Sequence, residues 1–273
     1  MSVTSMTAAG LRSLAGGKSV PPAMIWVPAL AVGAALLLPL VYLVVRTFDA
    51  GGNVWDLLFR ERILAILGRT VLLVVTVTVA SIILALPLAW LTTRTNLPLR
   101  RAWVVLSALP LVIPSYVAGF IVVAALGPRG MLQGALDGPF SIDRLPDIHG
   151  YAGALLTLTF LSFPYVVLTV RAAMLRIDPA MEESSRGLGR GSWSTFFFVT
   201  LPLLRPGIAA GGLLVALYTL SDFGAVSLLR YETFTWAIFV QYESALDRTL
   251  GAGLSLSLVV LALAVPLPLL RPF

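Results

Sequence analysis

The sequence predicts an all-α, polytopic membrane protein of about six transmembrane helices. Of its 273 residues 58% are hydrophobic and only 12% charged, with a mean hydropathy of +0.94, against about 25% charged in a soluble domain. Six apolar stretches reach the roughly 20 residues that a helix needs to cross bilayer hydrocarbon, at 25–45, 71–91, 102–126, 151–170, 207–229 and 250–270. Barrel strands would be near ten residues long with alternating polarity, so runs of this length are read as helices. The basic residues lie between these runs, as membrane topology requires. The net charge of +6 and pI near 10.2 therefore reflect topology, not a nucleic-acid partner. With no Cys and a single His, disulfide frameworks and thiolate metal sites are excluded. No metal ligand is nominated.

The first run follows Arg12 and Lys18. It exceeds the usual 7 to 15-residue core of a secretory signal and has no clean small-residue cleavage site after it, so it is read as a retained span. Residues 1–24 are then a cytoplasmic segment and 25–270 a six-helix domain. Proline punctuates four spans, at Pro28 and Pro39, Pro87, Pro110 and Pro114, and Pro164. Each removes a backbone donor and bends a helix, which suits a bundle that changes shape but is equally ordinary in membrane helices. Assigning alternate gaps to opposite sides collects eleven basic and three acidic residues on one side, net +8, and eight basic against nine acidic on the other, net −1. The positive-inside tendency makes both termini cytoplasmic. Asp222 is the one remaining acid, well inside the fifth span.

The longest cytoplasmic connection is 171–205. Asp178 is placed to cap a helix with Pro179 at its first position, and Glu182 and Glu183 fall near the positive end of its dipole. Glycines at 187, 189 and 191 end that helix. Ser192 is expected to cap a second short helix through Trp193 and Phe196–Phe198, which Pro202 closes. The aromatic residues are expected at the membrane interface.

Within this loop Glu183-Ser184-Ser185 is followed after three residues by Gly189, and after nine more by Val199-Thr200-Leu201-Pro202. This resembles the EAA loop of binding-protein-dependent ABC importer permeases, Glu-Ala-Ala, three residues, Gly, nine residues, Ile-x-Leu-Pro. Ser184, Ser185 and Val199 depart from it conservatively. The resemblance implies that the loop docks an ATP-hydrolysing partner through Glu182, Glu183, Ser184, Ser185, Gly189, Val199, Leu201 and Pro202. It implies a non-catalytic subunit of a bacterial-type inner membrane. ATP and Mg belong to two partner chains, and this chain binds no cofactor. The other partners are a periplasmic binding protein, lipid and a second permease half, either a second copy or the rest of a longer chain. A short helix pinned between two spans suits such coupling, since coupling needs a two-state element biased from both sides.

The chain has no phosphate cradle of its own. Ala15-Gly16-Gly17-Lys18-Ser19 echoes a P-loop, but its first glycine position holds Arg12 and it runs into Pro21-Pro22, not a helix. Asp222-Phe223-Gly224 spells a kinase tripeptide without any catalytic-loop companion. An ionisable residue inside a span is a functional candidate by default, so Asp222, Phe223 and Gly224 are candidates for the translocation path. The run from Ser221 to Ala225-Val226, with Leu228 to Thr235 and Gln241-Tyr242, looks like the matching region of ferric-iron importer permeases, with thiamine permeases close behind. The resemblance implies import of Fe(III) delivered by a binding protein. Residues 230–248 are read as an interfacial or re-entrant segment, His149 as a solvated loop residue, and the Gly207-to-Gly211 spacing as a weak sign of close helix packing. An ion-coupled secondary transporter would predict more intramembrane charge and an inverted repeat, and an intramembrane enzyme a paired catalytic constellation.

Overall fold

The computed structural model describes residues 23–49, 60–128, 130–140, 145–244 and 249–266. Arg12, Lys18, the 15–19 stretch, Asp56, Arg129, Asp143, Arg144, Asp247, Arg248, Pro268 and Arg271 lie outside the described residues. Those described are helical or connecting, with no strand among them. The chain divides into two units, Met1–Val45 and Arg46–Phe273.

Helix α1, Ala23–Asp49, contains Pro28 and Pro39. Its large side chains, Leu36 and Leu38 among them, are exposed, as lipid contact demands. In the second unit α2 is Glu61–Arg94, 34 residues against the 21 of the expected span, or about 51 Å at 1.5 Å per residue. Charged residues such as Arg62 and Arg69 extend it beyond the apolar run. The third expected span is broken. Arg100–Ala108 (α3) passes through a 3-10 turn at Leu109–Val112, and the chain restarts at Ser115–Leu126 (α4). Pro110 and Pro114 lack the donors and crowd the carbonyls that a continuous helix needs. The apolar stretch long enough to cross is Ser115–Leu136, which includes part of α5, Met131–Phe140.

Tyr151–Met174 (α6) and Pro179–Gly187 (α7) follow. Next, Ser192–Thr195, a π turn at Phe196–Thr200 and Leu201–Ser221 run on as one 30-residue helix, Ser192–Ser221 (α8). Gly224–Leu228 (α9), Phe234–Ser244 (α10) and Thr249–Ala264 (α11) complete the described chain. Among the described residues five helices are long and apolar enough to cross a membrane, and α11 is shorter.

Helices α2, α6 and α8 form the core, through Leu73, Val77, Leu158, Val166, Val170, Met174, Leu204 and Val215. Small residues permit that approach. A Cβ on Gly207 would sit 2.8 Å from Ala173 Cβ, and one on Gly211 would sit 2.8 Å from Val166 Cα. The Gly207-to-Gly211 spacing thus marks the seam between α6 and α8. Between α2 and α6, Ser81 Oγ and Ser162 Oγ meet at 3.3 Å inside the bundle.

Candidate functional site: a capped hairpin at one end of the bundle

The hairpin between α6 and α8 is built from local rules. Asp178 caps α7, its Oδ1 accepting from the Ala180 N–H at 2.9 Å, with Pro179 in the first turn. At the other end Gly189 takes φ +87°. The Gly189 N–H donates to Arg186 O at 2.9 Å and the Arg190 N–H to Ser185 O at 3.3 Å, which is the Schellman arrangement with glycine at its left-handed position. Gly191, not Ser192, is the N-cap of the next helix, its carbonyl accepting from Thr195 N–H at 2.9 Å.

Pro202 does not close that helix. It has no N–H to offer and its ring crowds the carbonyl four residues back. The π turn relieves both, and the Leu201 N–H reaches back to Phe196 O, the five-residue spacing of a π-bulge. The hairpin's second arm is therefore the beginning of a span.

The two faces of α7 differ. Glu182 and Ser185 are buried, whereas Glu183, Ser184 and Gly189 are exposed and Val199, Leu201 and Pro202 are half-buried. Glu182 Oε1 accepts from Thr200 Oγ1 at 3.1 Å and lies 3.4 Å from Arg94 Nε. Arg94 also donates through Nη2 to Met174 O at 3.3 Å and Ile177 O at 3.2 Å. Ser185 Oγ and Thr195 Oγ1 meet at 3.2 Å. Outside, Leu188 is 86% and Trp193 77% exposed. Trp193 stacks on Phe197 at 6.3 Å, and the Arg190 guanidinium lies over the Phe198 ring. Arg94 and Thr200 complete this site although sequence reasoning did not nominate them. Arg94, a charge at the end of an apolar run, offered a hint; its partner far along the chain offered none.

At the opposite end of the bundle, Asp222 is not in the interior of a helix. It follows the last residue of α8, and its Oδ2 accepts from the N–H groups of Ala225 at 3.0 Å and Val226 at 3.3 Å. Its own carbonyl accepts from Thr235 Oγ1 at 2.7 Å. The fifth span ends here because a carboxylate that caps α9 serves backbone donors that a continuous helix would leave no opening for. Phe223 rests 4.8 Å from the Phe239 ring. Gly224 sits against Ser115 and Tyr116, where a Cβ would come 2.8 Å from the Tyr116 nitrogen. Arg230 adopts φ +54° and closes α9 with a second Schellman pair, Arg230 N–H to Ser227 O and Tyr231 N–H to Val226 O. Arg69 pairs with Glu232 at 2.9 Å. Residue Phe234 of α10 is buried against Ile66 and Leu254, so the start of this segment packs on the bundle. His149 is half-buried and pairs with Asp147. Among the described residues no three His, Cys, Asp or Glu side chains come together.

The model of the binding-protein-dependent transport system inner membrane component matches residues 81–271, covering α6, α8, the hairpin and the Asp222 turn. The chain belongs to that family, the permeases of ABC importers. The Fe(3+)-transport system permease protein FbpB 2 of Haemophilus influenzae is 34% identical over 236 residues, 86% of this chain. This permease spans only 43% of that relative's length. The molybdenum transport system permease protein ModB of Escherichia coli is 34% identical over 161 residues, 58% of this chain and 69% of ModB. The E. coli sulfate transport system permease protein CysW is 28% identical over 222 residues, 80% of this chain and 75% of CysW. The permease fold is shared with a bacterial ABC transporter involved in alginate import, at TM-score 0.69, 17% identity and coverage of 89% of this chain and 92% of that one. The MetNI methionine ABC transporter matches at TM-score 0.58 and 17% identity, over 77% of this chain and 95% of that one.

Proposed function

We propose that this permease is the non-catalytic membrane subunit of a bacterial inner-membrane importer, and that its residue 179–202 hairpin docks an ATP-hydrolysing partner on the cytoplasmic side. The supporting observation is the division of α7 into a face tied to the bundle through Glu182 and Ser185 and a face offering Glu183, Ser184 and Gly189. Two ATPase copies, a periplasmic binding protein and a second permease half are the partners of this reading, and ATP and Mg are bound by the ATPases. Residues 1–24 are its cytoplasmic N-terminal segment, and both termini face the cytoplasm. Co-purification with the ATPase before and after Glu183→Arg and Gly189→Arg tests it. Both substitutions are expected to abolish association, and unchanged association with unchanged uptake would overturn the docking.

The cargo of the proposal is Fe(III). Its support is the FbpB likeness across 86% of the chain together with the run at 221–235. A second reading, a tetrahedral oxyanion, is favoured by ModB, equally similar over a shorter stretch. Uptake of labelled ferric iron, molybdate, sulfate and thiamine in a strain carrying only this system separates the cargoes. Accumulation of one of the other three without iron would discard the iron assignment. Asp222, Phe223 and Gly224 stay with the path in this proposal as the turn that shapes its outer end, since the Asp222 carboxylate is engaged by Ala225 and Val226.

A further inference from the structure

Two spans meet the hairpin at one buried carboxylate, and a third is tied to it through Arg94. Glu182 belongs to α7, Thr200 to the π turn of α8 and Arg94 to the last turn of α2, and Arg94 also holds the carbonyls of Met174, the last residue of α6, and of Ile177, next to the Asp178 cap of α7. We propose that the Arg94–Glu182–Thr200 junction is the joint that passes movement of α7 to α2, α6 and α8 together, with Arg94 and Glu182 as positioning residues. This rests on the docking reading, because it requires a partner that moves α7.

The geometry has the mechanical properties of a joint. Arg94 Nε stands 3.4 Å from Glu182 Oε1, and that nitrogen has no aligned hydrogen bond. Aligned charge-assisted bonds are shorter, about 2.7–2.9 Å. The pair is held by charge more than by direction, and the directional ties on this face of α7 are Thr200 to Glu182 and the Ser185–Thr195 contact. Both side chains are largely withdrawn from solvent, and pulling α7 from α2 would leave each charge unpaired in a poorly solvated place. The junction thus resists separation of α7 from α2. Glu183, one residue away, projects to the exposed face, so α7 presents one carboxylate to a partner and one to the bundle.

The test uses the full importer, permease with its ATPase in lipid vesicles. The chain has no cysteine, so Leu64→Cys, at the far end of α2 and exposed, takes a single bimane label. ATP with vanadate is expected to change the bimane emission when Arg94 and Glu182 are intact. In Arg94→Gln, and in Glu182→Gln, whose carboxylate is turned to Arg94 and Thr200 and away from the exposed docking face, that change falls by at least about fivefold, the lower end of coupling between sites, while the ATPase stays bound. The double variant Arg94→Gln/Glu182→Gln leaves no unpaired charge and covers the case in which a single variant misfolds. It is expected to lose no more than either single. A response of wild-type size in these variants with the ATPase bound, or no response in the parent, would overturn the joint. Retention of the ATPase by Glu183→Arg and Gly189→Arg, with uptake unchanged, would instead overturn the docking reading, which separates the two failures.

Discussion

At the scale of single residues, backbone conformation and capping decide which side chains matter. Gly189 holds φ +87° with open space where a Cβ would stand. Gly189→Ala therefore carries only the left-handed conformational penalty, about 1–2 kcal/mol, which should appear as faster hydrogen exchange at the Gly189 and Arg190 amides. Asp222→Ala leaves the Ala225 and Val226 donors without their acceptor, a loss of about 1–3 kcal/mol. Asp222→Asn keeps an acceptor oxygen and should retain most of the melting temperature in detergent. If the two variants melt together, the capping role fails. In the loop before α6 the backbone N–H of His149 holds the Asp147 carboxyl below its usual value of 3.8. A lowered carboxylate contributes stability above its ordinary value and loses it as pH falls through the lowered one. The His149 amide resonance should accordingly titrate below 3.8, the reference for Asp147.

At the scale of elements, the α6–α8 seam makes a contrast between adjacent glycines. On Gly211 a Cβ would press on the Thr169 hydroxyl and the Val166 backbone, whereas on Gly212 it would meet the side-chain ends Thr78 Cγ2 at 3.4 Å and Ile82 Cδ1 at 3.6 Å. Gly211→Ala is expected to cost about 1–3 kcal/mol as overpacking, while Gly212→Ala, in ordinary contact, stays within about 0.5 kcal/mol. Thermal unfolding of the two variants in the same detergent checks the ordering, and equal melting temperatures would remove the seam from this account. The α8 helix shows why the hairpin is stiff on one side. Pro202, by sequence a stop signal, sits inside a continuous helix because the π turn at Phe196–Thr200 accommodates it. The second arm of the hairpin then moves with the span it begins.

At the scale of the whole molecule, α6 separates the Asp147 loop from the α7 hairpin by 24 residues, about 36 Å at 1.5 Å per residue and enough to cross hydrocarbon. The absence of native cysteine makes the orientation directly testable. Leu188→Cys, in the exposed hairpin turn, should react with a membrane-impermeant maleimide only in inverted vesicles, and Pro146→Cys only in intact cells. The reverse pattern would put the hairpin outside and remove the ATPase dock with it.

Much of this was legible in the sequence because it depends on local chemistry. Apolar length and sparse charge determined helices in a membrane, Asp178-Pro179 determined where α7 begins, and the spaced Glu183, Gly189 and Pro202 pointed to the family. Other features depended on what meets in space. Whether Pro110 and Pro114 break a helix while Pro202 does not was decided by the surrounding turn geometry, since proline forbids one hydrogen bond but does not say how the chain compensates. Asp222 read as an intramembrane charge; the tertiary structure made it a cap, because the donors it serves belong to a turn that hydropathy does not reveal. The inward tie of Glu182 belongs to the same class. Its neighbour Glu183 is chemically identical, and only the packing of α2, α6 and α8 around Arg94 decides which carboxylate faces the bundle and which is left for a partner.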